Sequence, residues 1–143
     1  MAVAATVLVS PGSQALKHST AYTRTFVMVD STTGLGKTGA TVTVNISKAG
    51  AAFGAAAGSV AEVANGVYKV SLTSADTGTL GDLMYYCTAT GADNTYLCDQ
   101  VVAYDPTDAV RLGLTAMPNA NAGASGGILI SGANAGTVTF SEG

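Results

Sequence analysis

Charge is the scarcest property of this chain. Only 10% of its 143 residues are Asp, Glu, Lys or Arg, against a usual share of about 25%. The six Lys and Arg are spread singly and form no cationic patch. The long-range attraction behind non-specific nucleic-acid affinity is therefore missing, and nucleic acid is not an expected partner. Trp is absent and there is a single histidine, His18. With two cysteines and one histidine the chain offers no setting for a zinc cluster, and a Ser–His or Cys–His pair would have to be built around a residue near the N-terminus. Long apolar runs are also lacking. The stretch from Ala2 to Val9 covers eight residues, far short of the ~20 that a membrane-crossing helix requires, so no membrane partner is expected. Only Met1 precedes it, without the basic residues of a secretion signal; Ser13-Gln14-Ala15 imitates a cleavage site, but secretion is not expected.

What is present is small and neutral. Eighteen glycines accompany many alanines, threonines and serines, and the net charge is -3. So little charge leaves little repulsion between copies, which suits a surface covered by neighbours in an assembly. The length suits one core and not two.

From Tyr22 onward the hydrophobic pattern is that of strands, with candidates over residues 22–29, 41–47, 59–63, 67–72, 83–89 and 95–104, each bounded by Gly, Asp, Asn or Ser. Val42, Val44 and Ile46 fall on one face and Thr41, Thr43 and Asn45 on the other. Tyr68, Val70 and Leu72 are likewise expected inward, with Lys69 and Ser71 outward. Short strands at even spacing with no helix between them predict an all-β fold, an immunoglobulin-like antiparallel β-sandwich with extended N- and C-terminal arms. The division expected is an arm over residues 1–20, a sandwich over 21–104, and a short connector with a Gly/Ala/Asn-rich arm over 105–143.

Local motifs refine this outline. Thr73-Ser74-Ala75-Asp76 has the spacing of a helix-start box and predicts a single helical turn. Gly91-Ala92-Asp93-Asn94 predicts a tight loop joining two strands as a hairpin, which places Cys87 near Cys98. A disulfide between these two would close a loop the hairpin already holds, so free thiols are favoured over the Cys87–Cys98 bond. Residues 109–114 suit a turn or two of helix ended by Pro118. Beyond it the chain is almost all Asn, Ala, Gly, Ser and Thr, apart from Ile128-Leu129-Ile130 and Val138-Thr139-Phe140. Two β-prone islands on a tether suit strand addition to a neighbour's sheet edge; the alternative is a disordered tail.

Three fragments resemble chemistry without supporting it. Gly34-Leu35-Gly36-Lys37-Thr38 matches the end of a phosphate-binding loop, but the position that requires the first glycine holds Ser31 and a strand follows in place of a helix. Asp76-Thr77-Gly78 is the tripeptide of aspartic proteases, yet it follows a polar helix start and not a buried strand. Asn45-Ile46-Ser47 is a glycosylation sequon inside an expected strand, and matters only in a secreted chain. Asp82, Asp93, Asp99, Asp105 and Asp108 are too scattered for a recognisable cation loop. No cofactor, metal or catalytic residue is expected, and the chain reads as a non-enzyme.

The stretch Gly66-Val67-Tyr68-Lys69-Val70-Ser71-Leu72-Thr73-Ser74-Ala75-Asp76-Thr77-Gly78-Thr79-Leu80-Gly81-Asp82-Leu83 resembles a segment of predicted phage virion proteins, where an Ig-like domain precedes a connector. Asp99-Gln100-Val101-Val102-Ala103-Tyr104-Asp105-Pro106-Thr107-Asp108-Ala109-Val110-Arg111-Leu112-Gly113-Leu114-Thr115-Ala116-Met117-Pro118-Asn119-Ala120 is similar to the exit of that domain into an Ala/Gly-rich tether. The resemblance covers about residues 38–127. It implies a bacteriophage structural protein of the capsid decoration (cement) or fibre-attachment type, with no catalytic residue to carry over. The chain stops at Gly143 after a short arm, which favours decoration of the capsid shell. The implied partners are the phage major capsid protein and further copies of the chain, a homotrimer, on the capsid exterior of a virion assembled in the bacterial host cytoplasm. The alternative is a tail fibre or baseplate attachment module. Interface candidates are Thr6, Val7, Leu8 and Val9 in one arm and Ile128, Leu129, Ile130, Val138 and Phe140 in the other.

Overall fold

The computed structural model describes residues 12–108. The arm candidates Thr6 to Val9, Ile128 to Ile130, Val138 and Phe140, and the helix expected over 109–114, lie outside the described residues. Eight strands follow one another: β1 (Ala15–Lys17), β2 (Tyr22–Val27), β3 (Thr43–Lys48), β4 (Gly54–Ala55), β5 (Ser59–Ala64), β6 (Val67–Leu72), β7 (Gly81–Thr88) and β8 (Thr95–Val102). They form a five-stranded sheet in the order β1-β8-β7-β3-β4 and a three-stranded sheet in the order β2-β6-β5. All pairings are antiparallel except β1 with β8. In the lettering of immunoglobulin domains, β2-β6-β5 is the B-E-D sheet and β8-β7-β3 the G-F-C sheet, so the chain is an immunoglobulin-like β-sandwich by its own topology.

Alternation builds the core. Phe26 of β2 and Met28 just beyond it, with Tyr68, Val70 and Leu72 from β6, face Val44 and Ile46 of β3, Leu83, Tyr85 and Cys87 of β7, and Leu97 and Val101 of β8. Each such side chain contributes roughly 1.5–3 kcal/mol on full burial. The inward residues expected on β3 and β6 are in place, except that Val42 precedes β3 and is half-buried. Phe26 stacks on Tyr68 with ring centroids 6.1 Å apart. The Tyr68 hydroxyl escapes an unpaired burial by donating to the Lys37 carbonyl and accepting from the Ala40 N–H, both at 2.9 Å.

The sandwich begins earlier than Tyr22. Residues 15–17 run parallel to β8, with Leu16 paired to Val101 and only 2% exposed, so this part of the expected N-terminal arm belongs to the sheet. Three residues are too few for periodicity to reveal them. β4, two residues long, escaped the sequence reading for the same reason. The hairpin at residues 91–94 joins β7 to β8 as expected. Thr73 and Asp76 form the expected box: the Asp76 N–H donates to the Thr73 carbonyl at 3.1 Å, while the Asp76 carboxylate accepts from the Thr73 N–H at 2.8 Å. The box closes a hydrogen-bonded turn and no helix follows.

Candidate interaction surface

The two sheets are tied by a buried ionic bridge. Arg24 on β2 and Asp99 on β8 are 3% and 0% exposed, with Nε 3.0 Å from Oδ2. The contact is held by charge and not by an aligned Nε–H bond. Tyr85 of β7 donates its hydroxyl to the same oxygen at 2.9 Å, and the Gln14 N–H donates to Oδ1 at 2.9 Å. The guanidinium also donates to the Gly12 carbonyl. Burial, and next the negative charge of Asp99, push the Tyr85 hydroxyl well above its ordinary pKa, so it remains a proton donor. A charge pair this deep costs desolvation that is recovered only when both partners and their remaining hydrogen-bonding atoms are satisfied. β7 and β8 are thus locked against β2, which fixes the outward face they share.

That outward face carries the most exposed aromatic surface among the described residues. Tyr86 of β7 and Tyr96 of β8 are directly opposite each other in the ladder. Their rings stack at 5.1 Å with 21° between the planes. Phe53, from the turn between β3 and β4, meets Tyr86 edge-on at 5.9 Å. Phe53 and Tyr96 remain 50% and 55% exposed. Around them stand Asn45 of β3, opposite Tyr86, and the cross-strand pair Met84 and Cys98. None of these six side chains is charged. Asn94 donates to the Tyr86 hydroxyl at 3.3 Å and steadies its rim. Cross-strand aromatic pairs stabilise a sheet modestly, but rings left half in water, without charge, have the make-up of an interface core, where aromatics and Met are enriched and charges depleted.

Sequence reasoning did not single out Phe53, Tyr86 or Tyr96. The signal was present for two of them, because with Leu83, Tyr85 and Cys87 inward the alternation puts Tyr86 outward, and with Leu97 inward it does the same for Tyr96. Phe53 sits in a turn, where no periodicity applies.

The two cysteines are corrected in position. The ladder pairs Cys87 with Thr95 and Cys98 with Met84, so they lie three rungs apart and on opposite faces. Both are free thiols; Cys87 is buried and Cys98 exposed, and the candidate disulfide does not form. Burial pushes the Cys87 thiol up to about 12. Cys98 is raised too, by partial burial first and then by Asp82 and Asp99.

The fragments that imitated catalytic motifs have structural roles. The Asp76 carboxylate accepts from the Ala57 N–H at 2.8 Å as well as from the N–H and hydroxyl of Thr73. Burial alone would raise its pKa, but these hydrogen bonds, with Lys48 nearby, outweigh it and hold the group below the ordinary value. Thr77, fully buried, ties the turn to the start of β2 by accepting from the Thr20 N–H at 3.0 Å and donating to the Thr20 carbonyl at 2.7 Å. In the glycine-rich stretch, Lys37 pairs with Asp30 at 2.7 Å. That hydrogen bond, with those from the Thr33 and Thr32 N–H groups, holds Asp30 far below the carboxylate range. Gly36 packs so closely on the Asn65–Gly66 backbone that a Cβ would overlap the Asn65 carbonyl. His18 is exposed just after β1, its backbone N–H bonded to Val102 at 2.8 Å and its ring near the Ser19 hydroxyl. Among the described residues no three His, Cys, Asp or Glu side chains gather as a metal site.

Comparison with known proteins adds little. No protein-family model matches the chain, and no curated protein matches it. Among solved structures, titin domain M7 matches over 68% of this chain and 93% of that one, at 14% identity and a TM-score of 0.41. The immunoglobulin-like assignment stands on the strand order and register described above, independently of that likeness.

Proposed function

We propose that this chain is a non-enzymatic structural module that binds other protein subunits, and that it decorates a bacteriophage capsid shell. The observation that carries the reading is the uncharged, half-exposed aromatic stack of Phe53, Tyr86 and Tyr96 on a face backed by the buried Arg24–Asp99–Tyr85 bridge. A rigid sheet face of this kind docks on a protein surface with little ordering cost, because its rings are already stacked. The low charge of the whole chain is in keeping with that use, since crowded identical subunits gain by having little to repel. The segments at residues 66–83 and 99–120 that resemble phage virion proteins supply the choice of a virion over other assemblies, and within it the reading takes decoration of the shell, with the major capsid protein as partner and a homotrimer as the assembled form. In this reading Ile128, Leu129, Ile130, Val138 and Phe140 add apolar contacts to neighbouring subunits.

The test is to mix purified protein with mature shells of the phage that encodes it, prepared without it, and to measure bound copies and resistance of the shells to heat. Saturable binding with increased resistance is expected. A well-folded protein that leaves shells unbound but is retained by tail proteins would replace decoration with tail attachment. Removal of residues 125–143 is expected to weaken binding; unchanged assembly and shell binding would take those residues out of the account.

A further inference from the structure

β1 is a short segment seated in a slot that the rest of the chain makes for it. Leu16, 2% exposed, enters the core cluster beside Val101. The Gly12 carbonyl accepts from Arg24, and the Gln14 N–H donates to Asp99. The Gln14 carbonyl accepts from the Gln100 N–H at 2.8 Å, and the His18 N–H donates to the Val102 carbonyl at 2.8 Å. The Lys17 N–H donates to the Tyr22 hydroxyl at 2.8 Å. Each of these bonds runs from residues 12–18 to a residue beyond Ala21. The buried ionic bridge is part of the slot, since both of its charges hold the backbone of this segment.

Only the turn over residues 18–21 makes the occupant of that slot part of the same molecule. The turn carries the chain from β1 in the five-stranded sheet to β2 in the three-stranded one. Ser19 makes the reversal at a φ of 53°, in the left-handed region that a residue with a Cβ seldom adopts. Beyond it Thr20 is fixed, its N–H donating to the Thr77 hydroxyl and its carbonyl accepting from that same hydroxyl. The strain therefore falls at one pivot, between a segment that fits a slot and a residue pinned to the body. An extended Ser19 relieves it, at the loss of the Ser19 N–H bond to the Thr77 carbonyl at 3.0 Å, and directs β1 away from its own slot.

We propose that the slot along β8 is an exchange site, and that its occupant in the assembled protein is β1 of a second copy. The contacts of the segment are the same in the closed and the exchanged form, so they cancel. The balance is left to the pivot and to the concentration of copies. Strain at Ser19 opposes the closed form, and crowding of subunits in an assembly favours the exchanged one. Exchange passed head to tail closes into a ring in which each copy donates one strand and receives one. The inference rests on the reading of this chain as one that assembles with its own copies, and it supplies the contact that holds the homotrimer together.

A thiol pair in the full chain tests it. Ala15 and Gln100 are exposed register partners on β1 and β8. Ala15→Cys with Gln100→Cys, in a Cys98→Ser background, puts two thiols within disulfide reach. Glutathione disulfide oxidises the pair and leaves as two glutathione thiols. Bonds between copies are expected, giving covalent rings of the size that sedimentation reports for the reduced protein. Bonds confined to single chains, in a preparation that sediments as oligomers, would overturn the proposal. A chain that sediments as a monomer at every concentration would overturn it too. Ser19→Gly reads the pivot without the thiols. Glycine adopts positive φ freely, so self-association should weaken roughly threefold or more, and an unchanged monomer fraction would count against the exchange. Shell binding is measured separately. Shells bound by a chain that keeps its strand to itself would leave decoration standing without exchange, and exchanged rings that bind no shell would do the reverse.

Discussion

Tyr85 and Tyr86 are neighbours on one strand with opposite fates. Tyr85 turns inward, is fully buried, and has its hydroxyl on Asp99. Tyr86 turns outward, stacks on Tyr96 and Phe53, and keeps its hydroxyl at the rim. Cys87 and Cys98 repeat the division, one thiol sealed in the core and one on the outer face. The same residue types therefore serve cohesion on one side of the five-stranded sheet and stand partly exposed on the other. The pleat alone decides which.

This contrast can be broken most violently from the inside. Asp99→Ala strands the Arg24 guanidinium and the Tyr85 hydroxyl in the core and is expected to cost about 3–5 kcal/mol in urea unfolding. The double variant Arg24→Met with Asp99→Leu should recover much of that loss, since no charge is then left unpaired. A double variant as unstable as Asp99→Ala would mean that the bridge is not a coupled pair. Next in size is Cys87→Ser, which puts a hydroxyl where a thiol packs and should cost about 1–3 kcal/mol. Cys98→Ser on the exposed face should stay within about 0.5 kcal/mol. The comparison sharpens further with a thiol reagent, which should modify one cysteine per native chain and the second only on unfolding.

Acid acts on the buried side as well. Asp76 is held below its ordinary value near 3.8. Its contribution is complete above that value and is lost as pH falls through the lower folded pKa. The acid limb of a stability–pH curve should therefore be shallower in Asp76→Asn, which is destabilised at neutral pH relative to the wild type. Parallel curves would show that Asp76 is not a source of the acid sensitivity. A small stability effect is also expected outside: Tyr96→Ala removes a ring that is 55% exposed and should cost about 1 kcal/mol or less.

The strands that alternate over six or more residues were legible because period-two burial leaves a mark that long. β3, β6, β7 and β8 lie within a residue or two of their expected bounds. β1 and β4 were not legible, because three and two residues hold no period, and β1 is set by parallel pairing with a strand 85 residues away, between Ala15 and Gln100. The Arg24–Asp99 bridge was hidden for a related reason: a charge in an alternating strand looks solvent-facing until its partner on another sheet is known. The hairpin was read correctly but its count was not, and three rungs of error moved Cys98 from beside Cys87 to the other face. The aromatic stack was half legible, in the parity of Tyr86 and Tyr96, and half a product of the turn that brings Phe53 over them.

The most direct measurement compares wild type with the Tyr86→Ala, Tyr96→Ala double variant in binding to shells that lack the protein, after unfolding curves show both folded. Binding weakened tenfold or more, about 1.4 kcal/mol or above, with the fold intact, is the predicted result and would make the outer face the contact surface. Equal binding by the two proteins would contradict the account, because the face that the buried bridge holds in place would then touch nothing.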